Sequence, residues 1–285
     1  MRETARAAIA TGLLAAGAAA CALGHPVKML HETRSATPRS PMSVSLELPA
    51  GEIRVERLSS GELLYDLQLS YCTQHFTPHS RFTPAAGSDA SGDRLEAAAR
   101  RLEGASPASE PNLLLLKIPV GHLLDLRAAT GDRADLDLTG LSLRRLTLHA
   151  GSGRLRARFK AGNPADLERL LLVAGTGESL LEGLGWGGVL SLEFHGGAGN
   201  SVIDFSGAGP AEAAALVDRG AGNIEMVLPR DLGVVVSGID PDAAVPQGFR
   251  VSGGGWESLN AGDAARRLRL VLQGGSEGVS FRWLP

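Results

Sequence analysis

Residues 132–159, DRADLDLTGLSLRRLTLHAGSGRLRARF, decide the fold. Ala134, Leu136 and Leu138 alternate with carboxylates. Leu141 and Leu143, then Leu146 and Leu148, then Leu155 and Phe159 carry the apolar pattern onward. Apolar side chains at every second position are the signature of a half-buried strand. The strands are short, and TG and GSG punctuate them where the chain must turn.

The grammar repeats toward the C-terminus. LLVAGTGESLLEGLG, VLSLEFHGGAGNSVIDFSG, AAALVDRGAGNIEMVLP and RLRLVLQGGSEGVSFRWL follow the same pattern. Subtracting neighbours among the lead glycines, Gly131, Gly153, Gly177, Gly199, Gly222, Gly255 and Gly278, gives spacings of 22, 24, 22, 23, 33 and 23. A fixed period of about 20–50 residues marks a repeat architecture. One strand pair cannot cover its own apolar face, so the repeats must stack. The sequence therefore predicts an all-β fold: a single-stranded β-solenoid, a β-helix-like stack of short strands with glycine turns. The glycines either adopt positive φ or let another backbone pass close. The long interval before Gly255 contains IDPDAAVPQG (239–248), a loop expected to interrupt the stack.

Upstream, residues 43–58 and 63–71 continue the period of two. Residues 73–92 have no clean period and read as a surface loop or irregular edge strands. DRLEAAARRLE (93–103) is rich in helix formers but lies between strand signals, and an extended segment is expected. ASPASEP (105–111) is a loop.

The N-terminus reads as an export segment. Arg2 and Arg6 precede Ala7–Ala20, AAIATGLLAAGAAA, which has the length and polarity of a secretory h-region. It is short of the roughly 20 residues that span a bilayer. Ala18-Ala19-Ala20-Cys21 resembles a bacterial lipobox, with Ala18 where leucine is usual. The expected organisation is a signal peptide over 1–20, lipidation at Cys21, a tether over 21–42 and one repeat domain over 43–285. Plain cleavage after Ala-x-Ala is the alternative. Cys72 is the other cysteine, so acylation of Cys21 leaves no disulfide framework.

Composition narrows the partners. Hydrophobic residues make up 44% and aromatics 4%, so the core is aliphatic. The net charge is −3 and the lysines are Lys28, Lys117 and Lys160, which does not suit a nucleic-acid partner. The strip Arg144, Arg145, Arg154, Arg156 and Arg158 reads as a solvated strand face, with an anionic ligand as the alternative. Asp135 and Asp137 share one face of a strand and could hold calcium or act as acid and base. Their alternation with leucines favours solvation.

Other chemical signatures are incomplete. Cys72-x2-His75-x3-His79 has metal-ligand types without a fourth ligand nearby. Gly274-Gly275-Ser276-Glu277-Gly278 spells G-x-S-x-G but is followed by neither Asp nor His. His122, His149 and His195 belong to different repeats. No phosphate loop or dinucleotide fingerprint is present, and neither cofactor nor metal is expected. Trp186 in GLGWGG and Trp256 in GGGWES fall in glycine turns, where an exposed ring could meet a glycan or a protein. Trp283 is expected to cap the core.

LELPAGEIRVE (46–56), LLYDLQLSY (63–71), LDLTGLSLRRLTLHAGSG (136–153), VIDFSG (202–207) and DRGAGNIEMVLPRDLGV (218–234) resemble the bacterial toast-rack domain. That domain occurs in cell-wall-active-antibiotic response proteins and related adhesin-like chains. The resemblance implies an extracytoplasmic, non-enzymatic scaffold in the envelope stress response. Its partner would be an envelope protein or a wall polymer, with the membrane reached through a lipid anchor. An adhesin or polysaccharide-binding module is the alternative, and a β-helix polysaccharide-active enzyme a more distant one. The chain departs from relatives that carry transmembrane helices, and 73–112 matches least.

Overall fold

The computed structural model describes residues 26–36, 41–59, 61–85, 92–104, 112–240 and 242–285. Among them are 22 strands in two sheets, and no helix. In chain order the first are β1 (Val27–Ser35), β2 (Met42–Leu48), β3 (Glu52–Leu58), β4 (Leu63–Cys72), β5 (Phe76–Thr83), β6 (Asp93–Arg101), β7 (Leu113–Pro119) and β8 (Leu123–Thr130). The central run is β9 (Arg133–Asp137), β10 (Ser142–Ala150), β11 (Leu155–Arg158), β12 (Arg169–Val173), β13 (Ser179–Glu182), β14 (Ser191–His195), β15 (Ser201–Asp204) and β16 (Glu212–Asp218). The last are β17 (Ile224–Leu228), β18 (Leu232–Ser237), β19 (Phe249–Ser252), β20 (Gly255–Ser258), β21 (Arg266–Gln273) and β22 (Val279–Trp283).

From β7 to β18 the chain alternates strictly between the sheets, one strand in each per turn. One sheet runs β1-β4-β7-β3-β9-β11-β13-β15-β17-β22. The other runs β19-β20-β18-β21-β16-β14-β12-β10-β8-β2-β6-β5. Every pairing in the middle is parallel. Antiparallel pairs occur only toward the two ends, β1 with β4, β4 with β7 and β5 with β6 at one, β18 with β20 and β19 with β20 at the other. The inner faces meet in one aliphatic core in which Leu136, Ala157, Leu181, Ile203 and Met226 form a column, each beside the next in register. Each large aliphatic so buried stabilises the fold by roughly 1.5–3 kcal/mol.

A glycine ladder holds the turns. Ser152 N–H donates to Gly131 O (2.8 Å), Thr176 N–H to Gly151 O (3.1 Å), Ala198 N–H to Gly175 O (3.1 Å) and Ala221 N–H to Gly197 O (2.9 Å). Each turn thus rests on the one before it. A Cβ at Gly177 would stand 1.6 Å from Gly153 O, and one at Gly199 1.7 Å from Gly177 O. Close backbone approach, not positive φ, makes these positions glycine. Gly255 is outside the ladder: it opens β20, and a Cβ there would meet Val236 O. The 33-residue interval spans the excursion β18–β19–β20, after which β21 re-enters between β16 and β18.

One expectation changes, and two open segments resolve as strands. Residues 27–35, assigned to the tether, form β1 and pair with β4 along its length. Their period was hidden because the residues opposite buried Leu67 and Tyr65 are charged, Glu32 and Arg34. Residues 76–83 are edge strand β5, the second of the two readings offered for 73–92. The residues opposite inward Leu95, Ala97 and Ala99 are Phe82, Ser80 and Pro78, which conceal the alternation. Proline is tolerated because β5 is an edge strand. DRLEAAARRLE is extended as expected, as β6 between β2 and β5. Pairing on both sides overrides its helix propensity. Cys21 and the export segment lie outside the described residues.

Candidate functional site

Ion pairs cross the strands on the outer faces of the central coils. Arg144 binds Asp125 (2.6 Å), Arg145 Glu168 (3.5 Å), Arg154 Glu178 (3.7 Å), Arg156 Glu182 (2.7 Å) and Arg158 Asp137 (3.1 Å). The arginine strip is a set of ion pairs. Asp135 and Asp137 face outward as the alternation predicts, Asp135 between Arg54 and Arg156 in register. Burial alone would raise the Asp137 carboxyl. Hydrogen bonds from Thr139 and the charge of Arg158 outweigh it and hold the group below the usual range. Hydrogen bonds from His195 and Arg169 lower Glu193 likewise. Carboxyls depressed in the folded state stabilise it above their ordinary range, and that contribution is lost as pH falls through the folded pKa. Urea unfolding is therefore expected to show lower stability near about pH 3 than at neutral pH, with a shallower decline in Asp137→Asn. An equal decline in the variant would refute the assignment.

The remaining motifs disperse. Cys72 is buried with Sγ 4.0 Å from His75 Nδ1, while His79, on β5, points to Glu96 at 3.9 Å. His149 and His195 fall in one row of the larger sheet but flank Val173. Burial, then the charge of Arg127, lowers the His149 pKa. His122 is buried before β8. Gly274–Gly278 is a turn between β21 and β22, with Ser276 N–H donating to Asp240 (3.4 Å).

The tryptophans divide. Trp186 is 40% exposed in the turn after β13. Its carbonyl accepts from Asn163 N–H (2.8 Å), and its N–H donates to Ser206 O (3.3 Å). A Cβ at Gly207 would stand 2.5 Å from the indole Cγ, so the ring rests against the Gly207 backbone, where φ is +104°. Trp256 is 3% exposed and cannot be a contact residue. It lies on β20 beside Val236 and packs edge-on to Phe281 at 6.2 Å. The surrounding glycines mark the tight β19–β20 turn rather than exposure of the ring.

The two ends of the stack differ. At the N-terminal end Glu32 accepts from Tyr65 Oη and from Ser80 Oγ (2.7 Å), and Arg34 lies 3.8 Å over the Phe82 ring. Burial, reinforced by Glu32, pushes the Tyr65 phenol far above its ordinary value. Inward charges of this kind close an edge against further pairing. At the C-terminal end Phe249 packs in tilted contacts against Phe281 (4.9 Å) and Trp283 (5.5 Å), the core cap expected of Trp283. The cap is incomplete. A groove of about 740 Å³ remains, lined by Arg230, Gln247, Gly248, Leu259, Phe281 and Trp283. The sequence signal for it was faint, since Arg230 and Leu259 lie in loops and neither belongs to a ligand-binding motif.

No family model and no curated protein matches the chain. Among solved structures, it is similar to a candidate cell adhesion protein from Clostridium sporogenes ATCC 15579, with 15% identity, TM-score 0.44 and coverage of 90% of this chain and 100% of that one. It is also similar to a candidate adhesin from Bacteroides fragilis NCTC 9343, with 11% identity, TM-score 0.40 and coverage of 90% and 97%. A candidate lipid binding protein from Parabacteroides distasonis ATCC 8503 follows at 9% identity, TM-score 0.32 and coverage of 88% and 96%. Likeness at these levels assigns neither family nor function.

Proposed function

We propose that the chain is an exported, non-enzymatic binding scaffold, anchored through acylated Cys21 to the outer side of a bacterial membrane. One observation carries this reading: a single aliphatic core fills the space between the sheets from Met42 to Leu272. The interior serves stability, and the outer faces, turn edges and ends are what the molecule offers. A rigid coil of this kind presents an extended surface. The toast-rack resemblance supplies the setting, envelope stress, and the partner class, a wall polymer or envelope protein. The exposed Trp186 favours the adhesin-like, polysaccharide-binding version of the same role.

The test has two arms. Fatty-acid labelling is expected to find the wild type acylated and Cys21→Ala unlabelled. Equal labelling would remove the anchor from the proposal. The anchor-free variant is expected to co-sediment with isolated cell envelopes without releasing wall fragments. Failure to sediment, or turnover of the wall, would overturn the scaffold reading.

A further inference from the structure

We propose that the turn edge from Trp186 to the C-terminal groove is a binding site for a carboxylate-bearing polysaccharide. The inference rests on the binding-scaffold reading and names its ligand. Trp186, Gly207 and Arg230 occupy the turns that follow β13, β15 and β17, and Trp283 ends β22. These four strands are consecutive neighbours in one sheet. At about 4.8 Å per strand, three steps place β22 about 14 Å from β13 across the sheet, a span that a short run of sugar rings covers.

The chemistry along this edge suits a sugar. Trp186 rests on glycine backbone and leaves 40% of its surface open, an aromatic platform whose position is fixed from below. Trp283 donates its Nε1–H to Gln247 O (3.1 Å), which pins the second ring beside the groove. Asn260 Nδ2 donates to the carbonyls of Arg230 (2.6 Å) and Leu232 (3.2 Å), so its Oδ1 is left as an acceptor for a hydroxyl. Leu259 is 65% exposed at the rim, apolar surface that a ring face can cover.

Charge selects the acid. The carboxylates beside this edge are already engaged: Asp231 by Arg266 (3.0 Å), Glu225 by Arg282, and Asp204 by the Ser206 amide (2.8 Å) and hydroxyl (2.9 Å). Among the described residues the Arg230 guanidinium has neither an ion pair nor a hydrogen bond, and it lines the groove. Arg266 is committed to the turn itself, its Nη1 holding both Gly207 O (2.6 Å) and Asp231 (3.0 Å). The planar guanidinium of Arg230 matches a carboxylate in bidentate geometry. A second copy of this chain would bring two unpaired Arg230 side chains to the same end, which opposes self-docking there.

Isothermal titration with a short oligogalacturonate and with the corresponding neutral galactan oligosaccharide tests the site. The acidic probe is expected to bind about tenfold tighter, and less tightly as salt rises. Arg230→Gln and Trp186→Ala are each expected to weaken it by about tenfold with melting close to wild type. Equal binding of the neutral probe, or unchanged affinity in Arg230→Gln, overturns the proposal. So does a concentration-dependent dimer abolished by Leu259→Asp with no sugar bound. Co-sedimentation with envelopes separates the layers: if the anchor-free chain carrying Arg230→Gln and Trp186→Ala sediments like the anchor-free parent, the site falls and the scaffold reading stands.

Discussion

Gly177→Ala is expected to destabilise the protein by about 3 kcal/mol or more, the upper range for inserting a methyl where no space exists. The added Cβ would stand 1.6 Å from Gly153 O, 2.5 Å from Gly153 C and 2.6 Å from Ser152 O. All three are backbone atoms, so no side chain can swing away. The turns would have to separate, and the bonds from Thr176 N–H (3.1 Å) and Gly177 N–H (3.5 Å) to Gly151 O would lengthen with them. Each lost bond costs about 1 kcal/mol more. Gly162→Ala is the control, because a Cβ there meets nothing within 4 Å. Urea unfolding followed by circular dichroism reads both variants. Gly177→Ala as stable as Gly162→Ala would show that the turns do not rest on one another.

This ladder also shows how the sequence encodes the coil. Period two along DLDLTGL and LRARF placed Leu136, Leu138, Leu155 and Phe159 inward, and all four are buried. The G-x-G clusters marked the turns because two backbones stacked in contact leave no room for a Cβ. Both signals are local and survive in a single chain. The ends of the stack carry neither. There the inner residues have no next coil to cover them, so Glu32, Arg34 and Ser80 replace aliphatics on one end. β1 and β5 thereby lost the alternation that would have announced them. At the other end an aromatic cluster from β19, β20 and β22 replaces the ladder. The same blindness governs the candidate site. A tryptophan between glycines looks alike whether its ring faces out, as Trp186 does, or lies on a strand under a neighbouring sheet, as Trp256 does. Register decides, and β20 is placed in the sheet by its pairing with Val236, 20 residues away in sequence.

The buried ring of Trp256 makes the second large effect. Trp256→Ala is expected to cost about 3–5 kcal/mol, the range for deleting a large buried aromatic. The ring is 3% exposed and edge-on to Phe281, which in turn contacts Phe249. Removing it opens a cavity beneath the cap and withdraws the contact of β20 with Phe281 on the other sheet. The cap strands β18 and β20 are expected to loosen first, because a stacked array can lose its terminal unit while the interior persists. Hydrogen exchange should then rise over residues 232–258 before it rises over 134–204. Trp186→Ala, whose ring is 40% exposed at a turn rather than buried under the cap, is expected to cost less, about 1 kcal/mol. The contrast is what gives binding data meaning. Loss of ligand in Trp256→Ala would report a disordered cap and a distorted groove, whereas loss in a fully folded Trp186→Ala reports a contact. A Trp256→Ala variant that melts with wild type would mean that the aromatic cluster does not hold the C-terminal end together, and the groove beside Trp283 would then lack the rigid wall on which the saccharide site depends.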